Sequence, residues 1–123
     1  MRVLIVEDSR AMRAIIERMF SLLGLETTQA SDGAEALQTL QSDANYDLAL
    51  VDWNMPKLNG LELVKAIRAD DTFKNIKLMM ATTETEIERV VLALNEGADE
   101  YVMKPFTKDV LKDKLKILGL LND

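Results

Sequence analysis

Leu48-Ala49-Leu50-Val51-Asp52 decides the fold, with Trp53-Asn54-Met55-Pro56-Lys57-Leu58-Asn59-Gly60 behind it. Four apolar residues in succession, without alternation, read as a strand buried on both faces. An acid ends the strand, and the Pro, Asn and Gly content of residues 54–60 reads as a loop. The chain opens with the same signature: Val3-Leu4-Ile5-Val6 is a second apolar run, ended by Glu7-Asp8.

Outward from these two runs, strands alternate with segments of helical period. Met12, Ile15, Ile16, Met19, Leu22 and Leu23 recur at i, i+3, i+4, i+7 spacing and predict an amphipathic helix over 9–23, with Ser9 as N-cap and Gly24 as the stop. Leu25 to Ala30 reads as a strand, Ser31-Asp32-Gly33 as a turn and Ala34 to Leu40 as a short helix. Leu63, Val64 and Ile67 mark a third helix. Lys77 to Ala81 is a strand running into Thr82-Thr83. Ile87, Val90, Val91 and Leu94 mark a fourth helix closed by Gly97. Tyr101-Val102-Met103 is a last strand ended by Lys104-Pro105, and Leu111, Leu115 and Leu118 set a fifth helix. Five strands alternating with five helices require parallel pairing, because each crossover uses a helix. The expected fold is α/β, an open five-stranded parallel sheet covered on both faces, forming one domain over residues 1–123 with no effector domain.

Composition narrows the function. A length of 123 residues fits one domain, and 48% hydrophobic residues supply one core. A net charge of −6 argues against direct nucleic-acid binding. The chain has neither cysteine nor histidine. That removes disulfides, thiolate or imidazole metal sites, the commonest general base and any phosphohistidine. No stretch has the apolar length of a membrane span, and the N-terminal run is too short for a signal peptide. A cytoplasmic location is expected.

Ligands of such sheets bind outside the carboxyl ends of the strands. The residues found there are Glu7 and Asp8, Asp52, Thr82 and Lys104. An acid after a strand is most often a turn residue or a cap. Four strand ends with complementary groups are much harder to obtain by chance. Each like-charged pair at about 4 Å costs roughly 4 kcal/mol at an effective dielectric near 20, so positive charge must offset three carboxylates. Lys104 supplies one charge and a divalent cation the rest. Hard oxygen donors alone point to Mg²⁺ rather than zinc, with Asp8 and Asp52 as direct ligands and Glu7 acting through water.

These residues carry a resemblance to a known family over the whole chain. Glu7-Asp8, Asp52-Trp53-Asn54-Met55-Pro56 with Asn59-Gly60-Leu61-Glu62-Leu63, Thr82, and Tyr101-Val102-Met103-Lys104-Pro105-Phe106-Thr107 resemble the receiver domains of two-component response regulators. The likeness is nearest to the stand-alone chemotaxis members of that family. It implies a flavodoxin-like strand order 2-1-3-4-5. It implies that Asp52 is the phosphoacceptor, attacking a phosphohistidine or a small acyl phosphate. It adds the backbone carbonyl of Asn54 to the Mg²⁺ ligands, puts Lys104 and Thr82 on the phosphoryl oxygens, makes Tyr101 the aromatic that follows Thr82, and makes Lys104–Pro105 cis. Asn54 and Glu84 flank the site, where small or polar groups leave room for a hydrolytic water. Glu7 departs from the nearest pattern, which has a second Asp there, although Glu is common among receivers.

By the same resemblance the partners are a histidine kinase as phosphodonor, the flagellar switch protein or another protein target, and a phosphatase. The phosphorylated form would change flagellar rotation through the face of the fourth helix, fifth strand and fifth helix. An alternative within the class is a phosphorelay intermediate that hands the phosphoryl group to a histidine phosphotransferase. An aspartyl-phosphate phosphatase of the haloacid-dehalogenase type needs a general-acid Asp two residues after its nucleophile, where Asn54 stands. Flavodoxin needs a Ser/Thr/Gly phosphate loop where Glu7-Asp8 stand. The expectation is therefore a signalling switch with no external turnover substrate.

Three side-chain readings remain. Trp53 is expected to be partly exposed beside the metal. Tyr101 reads from its strand as core, and only the resemblance raises it to a switch residue. Val110, Ile117 and Leu121 form a second apolar stripe on the last helix, about 100° from the first. It is either a widened core face or a partner face.

Overall fold

In the computed structural model, which describes residues 1–53, 58–83 and 87–122, Leu48–Asp52 forms the central strand of the sheet. It is β3. Before it come β1 (Arg2–Val6), α1 (Arg10–Leu22), β2 (Glu26–Ala30) and α2 (Gly33–Ser42). After it come α3 (Gly60–Arg68), β4 (Lys77–Thr82), α4 (Ile87–Asn95), β5 (Glu100–Met103) and α5 (Lys108–Ile117). All pairings are parallel and the strand order is β2-β1-β3-β4-β5.

Alternation along the central strands divides the core into two layers. Leu48 and Leu50 face α1 and α5, where Ile16, Phe20, Leu111 and Leu115 pack with Val3, Ile5 and Met79. Ala49 and Val51 face α2, α3 and α4, where Leu40, Leu63, Val64, Ile67 and Ala93 pack with Leu4 and Leu78. Both faces of β3 are buried along its whole length, as the unbroken apolar run requires.

Helix starts follow the capping chemistry. Ser9, Asp32 and Thr107 accept the N–H of the residue three positions on, at 3.2, 2.8 and 3.2 Å. Asn59 and Glu62 form a reciprocal capping box, so Asn59-Gly60, expected in a loop, is the cap and first residue of α3. Gly24 and Gly97 follow α1 and α4 with φ of +84° and +118°, as helix stops. A 3-10 turn at Asp71–Phe73 has no counterpart in the sequence reading; Asp70 caps it through Thr72 N–H.

Several faces differ from the periodic reading. On α1 the buried residues are Ile16 and Phe20, while Ile15 and Leu22 face solvent. On α4 the packing face is Val90 and Ala93, and Val91 and Leu94 are exposed. Ala93 is fully buried there, so a small residue marks the inner side beside Val90. Among the described residues no helix is long and apolar enough to cross a membrane.

At the edge where strands begin, Arg68 closes the structure. Its guanidinium donates to the carbonyls of Gly97 (2.9 Å), Phe73 (3.2 Å) and Ile76 (2.7 Å) and pairs with Asp99 at 2.8 Å. The same Asp99 oxygen accepts Leu78 N–H at 2.8 Å. One side chain thus joins α3, the ends of the α4 turn and the starts of β4 and β5.

Candidate functional site

The register brings the strand ends together. Val6 pairs with Val51, Asp52 with Ala81, and Thr82 with Met103. Lys104 N–H donates to Thr82 carbonyl at 2.7 Å, fixing the lysine at the end of β4. The Lys104–Pro105 bond is cis, as the resemblance implied.

Lys104 Nζ lies 2.7 Å from Asp52 Oδ1 and 2.8 Å from Glu7 Oε1. Both carboxylates are nearly buried, at 7% and 2% exposure. Buried charges persist only when paired, and the ammonium is the partner of both. Partial burial pulls the Lys104 pKa down, but the hydrogen bonds it donates to Asp52 and Glu7 outweigh it and hold the amine above its ordinary range. Glu7 also accepts Ser9 N–H at 3.2 Å. Asp8 is exposed. Its carboxyl is raised above the usual carboxylate range, chiefly by its hydrogen bond with Glu7, then by partial burial and the charge of Glu7; its own backbone and Lys104 act the other way.

Carboxylate oxygens of Glu7, Asp8 and Asp52 all lie within 4.8 Å of one another. Three hard donors of net charge −3 against one ammonium leave an excess negative charge that fits a divalent cation of the oxygen-seeking kind.

Thr82 is buried at the end of β4, its hydroxyl 3.3 Å from Thr83 carbonyl. Tyr101 is half-buried on β5, one position before the core residue Val102. Lys114 Nζ sits 4.7 Å from its ring centroid and 3.2 Å from Glu100 Oε1. Asn54 and Glu84 lie outside the described residues. Trp53 is corrected: it is 5% exposed and packs in the core with Ala49 and Val51. The strand alternation continues one residue past β3, so Trp53 points away from the face that Asp52 serves. Val110 and Ile117 are exposed, at 42% and 68%, and do not widen the core. Leu121 does not continue their stripe. The helix ends at Ile117, the chain turns at Gly119 with φ +77°, and Leu121 packs partly buried against the core.

Two contributors, Arg13 and Lys114, escaped the sequence, and a third, Gly60, entered it only within a motif. Arg13 Nη1 donates to the carbonyls of Glu7 (2.7 Å) and Asp8 (3.2 Å). Gly60 lies so close to the end of β3 that a Cβ there would stand 3.0 Å from Asp52 carbonyl and 2.8 Å from Met80 Cε. Lys114 covers Tyr101. Only Gly60 carried a signal, as a glycine shortly after an acid-ended strand.

A parallel 2-1-3-4-5 sheet with acids after β1 and β3, a hydroxyl after β4 and an ammonium after β5 is a receiver domain, and the chain belongs to the response regulator receiver domain family, which it matches over residues 3–116. Within that family it is closely related to the CheY chemotaxis proteins. It is 45% identical to Chemotaxis protein CheY1 of Helicobacter pylori strain J99 over 100% of both chains. It is 41% identical to Chemotaxis protein CheY of Pseudomonas aeruginosa over 94% of both. Among solved structures, Vibrio cholerae chemotaxis protein CheY4 superposes with a TM-score of 0.86 at 35% identity, covering 94% of this chain and 96% of that one.

Proposed function

We propose that this chain is a single-domain phosphorylation switch that takes a phosphoryl group on Asp52 and signals by binding a protein partner. The observation that carries the reading is the Lys104 ammonium bridging Asp52 and Glu7 at the carboxyl edge of the sheet. A carboxylate oxygen of Asp52 attacks phosphorus in a phosphohistidine or an acyl phosphate. The new P–O bond forms as the bond to the donor's nitrogen or oxygen breaks, and the electron pair leaves with the donor. Lys104 then exchanges a carboxylate contact for the phosphoryl oxygens, and the Thr82 hydroxyl donates to another.

Mg²⁺ would be held by Asp8 and Asp52, by Glu7 through water and by the Asn54 carbonyl, and would supply neutralisation of the phosphoryl charge. Asn54 and Glu84 tune how readily water reaches the acyl phosphate. Phosphorylation changes the face of α4, β5 and α5. Its support is a groove of about 350 Å³ lined by Tyr101, Met103, Phe106, Val110 and Lys114, with exposed Ile117 beyond it. The kinship with CheY proteins favours a histidine kinase as donor, the flagellar switch protein as target, a phosphatase as a further partner and a cytoplasmic setting. No external substrate is turned over.

The test is labelling by acetyl phosphate with Mg²⁺. The unmodified chain should be labelled, and Asp52→Asn or a chelator should abolish it. Undiminished labelling of Asp52→Asn would move the acceptor elsewhere.

A further inference from the structure

We propose that Arg13 is a positioning residue of the metal site: its guanidinium clamps the peptide carbonyls of Glu7 and Asp8 and so sets where their carboxylates project. The proposal rests on the reading of Glu7, Asp8 and Asp52 as the Mg²⁺ site.

The three acids are not held alike. Asp52 is fixed by the central strand, and Glu7 by Lys104 and by Ser9 N–H. Asp8 is exposed and lies between β1 and α1, so apart from its hydrogen bond with Glu7 the direction of its side chain is set by its backbone. Arg13 Nη1 holds that backbone through both carbonyls, at 2.7 and 3.2 Å, while Nε donates to Gln29 Oε1 of β2 at 3.3 Å. With both carbonyls held, the peptide planes on either side of Asp8 cannot rotate freely.

Charge alone does not explain an arginine here. Arg13 lies in the first turns of α1, which has no acid in its first turn, and a cation at a helix N-terminus is disfavoured by the helix dipole. Among the described residues its hydrogen bonds go to the two carbonyls and Gln29, not to the carboxylates. The two roles a cation could play at this place predict opposite signs. A guanidinium beside a dication repels it, so removing Arg13 would tighten Mg²⁺ binding by charge. A clamp that pre-orients ligands strengthens binding, so removing it would weaken binding. Groups that orient metal ligands from outside the coordination sphere typically change affinity 10–100-fold when lost.

The experiment is a calorimetric Mg²⁺ titration of the full chain for the parent, Arg13→Gln, Arg13→Lys and Asp8→Asn. Each is paired with a melting curve in chelator and with acetyl phosphate labelling across Mg²⁺ concentration. Arg13→Gln should weaken Mg²⁺ about tenfold. Its half-maximal labelling should shift to correspondingly higher Mg²⁺, with the rate at saturating metal near the parent's. Arg13→Lys keeps the charge and one donor nitrogen for the carbonyls but loses the second nitrogen that meets Gln29, so it should recover part of the affinity that Arg13→Gln loses and stay below the parent. Melting in chelator identifies any loss due to unfolding. Unchanged or tighter Mg²⁺ binding by Arg13→Gln, or weaker binding by Arg13→Lys than by Arg13→Gln, overturns the clamp. Parent affinity in Asp8→Asn instead overturns the metal site itself, and the proposal with it.

Discussion

If Asp8 is a metal ligand as proposed, it sets stability against function in a way that can be measured. Its carboxyl is raised above the usual range, first by its hydrogen bond with Glu7, so Asp8 is harder to ionise in the folded metal-free protein than in the unfolded chain. A raised folded-state value means that this contribution favours folding at low pH and is lost as pH rises through the folded value. At neutral pH the ionised Asp8 therefore costs stability, modestly because it is exposed. Asp8→Asn should melt higher than the parent in chelator at pH 7, with the gain fading below about pH 4, where the parent's Asp8 is protonated in both states. Mg²⁺ should reverse the order. Ligand at a hundredfold excess over Kd stabilises the parent by about 2.7 kcal/mol, a gain the variant lacks. Thermal melts at two pH values, with and without Mg²⁺, check all four corners. A variant that melts lower than the parent in chelator at pH 7 would show that Asp8 has a structural partner outweighing Glu7.

At the scale of elements, the helices differ in how much of their packing is legible in the sequence. The doubly buried strands β1 and β3 are plain because their apolar runs do not alternate. The acids, hydroxyl and ammonium at the strand ends are plain because parallel topology collects them at one edge. The helix faces are less legible. Large apolar residues such as Ile15, Leu22, Val91 and Leu94 satisfy helical spacing but face solvent, while Ala36 and Ala93 are fully buried. Trp53 misleads because the strand's alternation and its hydrogen bonding, Trp53 N–H to the Ala81 carbonyl at 3.0 Å, both run one residue past the acid that reads as its end. Arg13 and Arg68 are invisible because both bond backbone carbonyls, which no side-chain pattern marks. On α5 the two stripes now separate. Leu115 is fully buried, so Leu115→Ala should cost about 2–5 kcal/mol. Ile117 is 68% exposed, so Ile117→Lys should change stability by no more than about 0.5 kcal/mol while weakening partner binding. Denaturant titration and a partner affinity measurement distinguish them. If Ile117→Lys binds its partner as the parent does, that residue lies outside the binding face.

Across the whole molecule the two edges of the sheet have different tasks. At the far edge Arg68 joins four segments by four hydrogen bonds. Arg68→Met should destabilise by about 2–3 kcal/mol, as hydrogen bonds to a charged group and their buried carbonyls are lost, yet leave labelling of Asp52 intact. At the other edge, a phosphoryl group on Asp52, as proposed, would add roughly −1.5 to −2 charge, which Lys104 and Thr82 would answer. Lys104 is tied through its N–H to the Thr82 carbonyl, and Thr82 pairs with Met103 two residues after Tyr101. A movement of Thr82 toward the phosphoryl group is therefore felt along β5, where Tyr101 lies under Lys114 beside the groove. Any partner can shift this equilibrium only by its differential affinity for the two forms, and by linkage it must stabilise the phosphorylated form by the same factor. Thr82→Ala keeps Asp52, Lys104 and the three acids, so it should still accept phosphate from acetyl phosphate. It lacks the hydroxyl proposed to convert the phosphoryl charge into movement, so most of the phosphorylation-dependent gain in partner affinity should vanish. Partner affinity measured with and without acetyl phosphate, in parent and variant, gives that gain directly. If Thr82→Ala retains the parent's full gain, the signal leaves Asp52 by another route, with Lys104 and its hold on β5 as the next element to test.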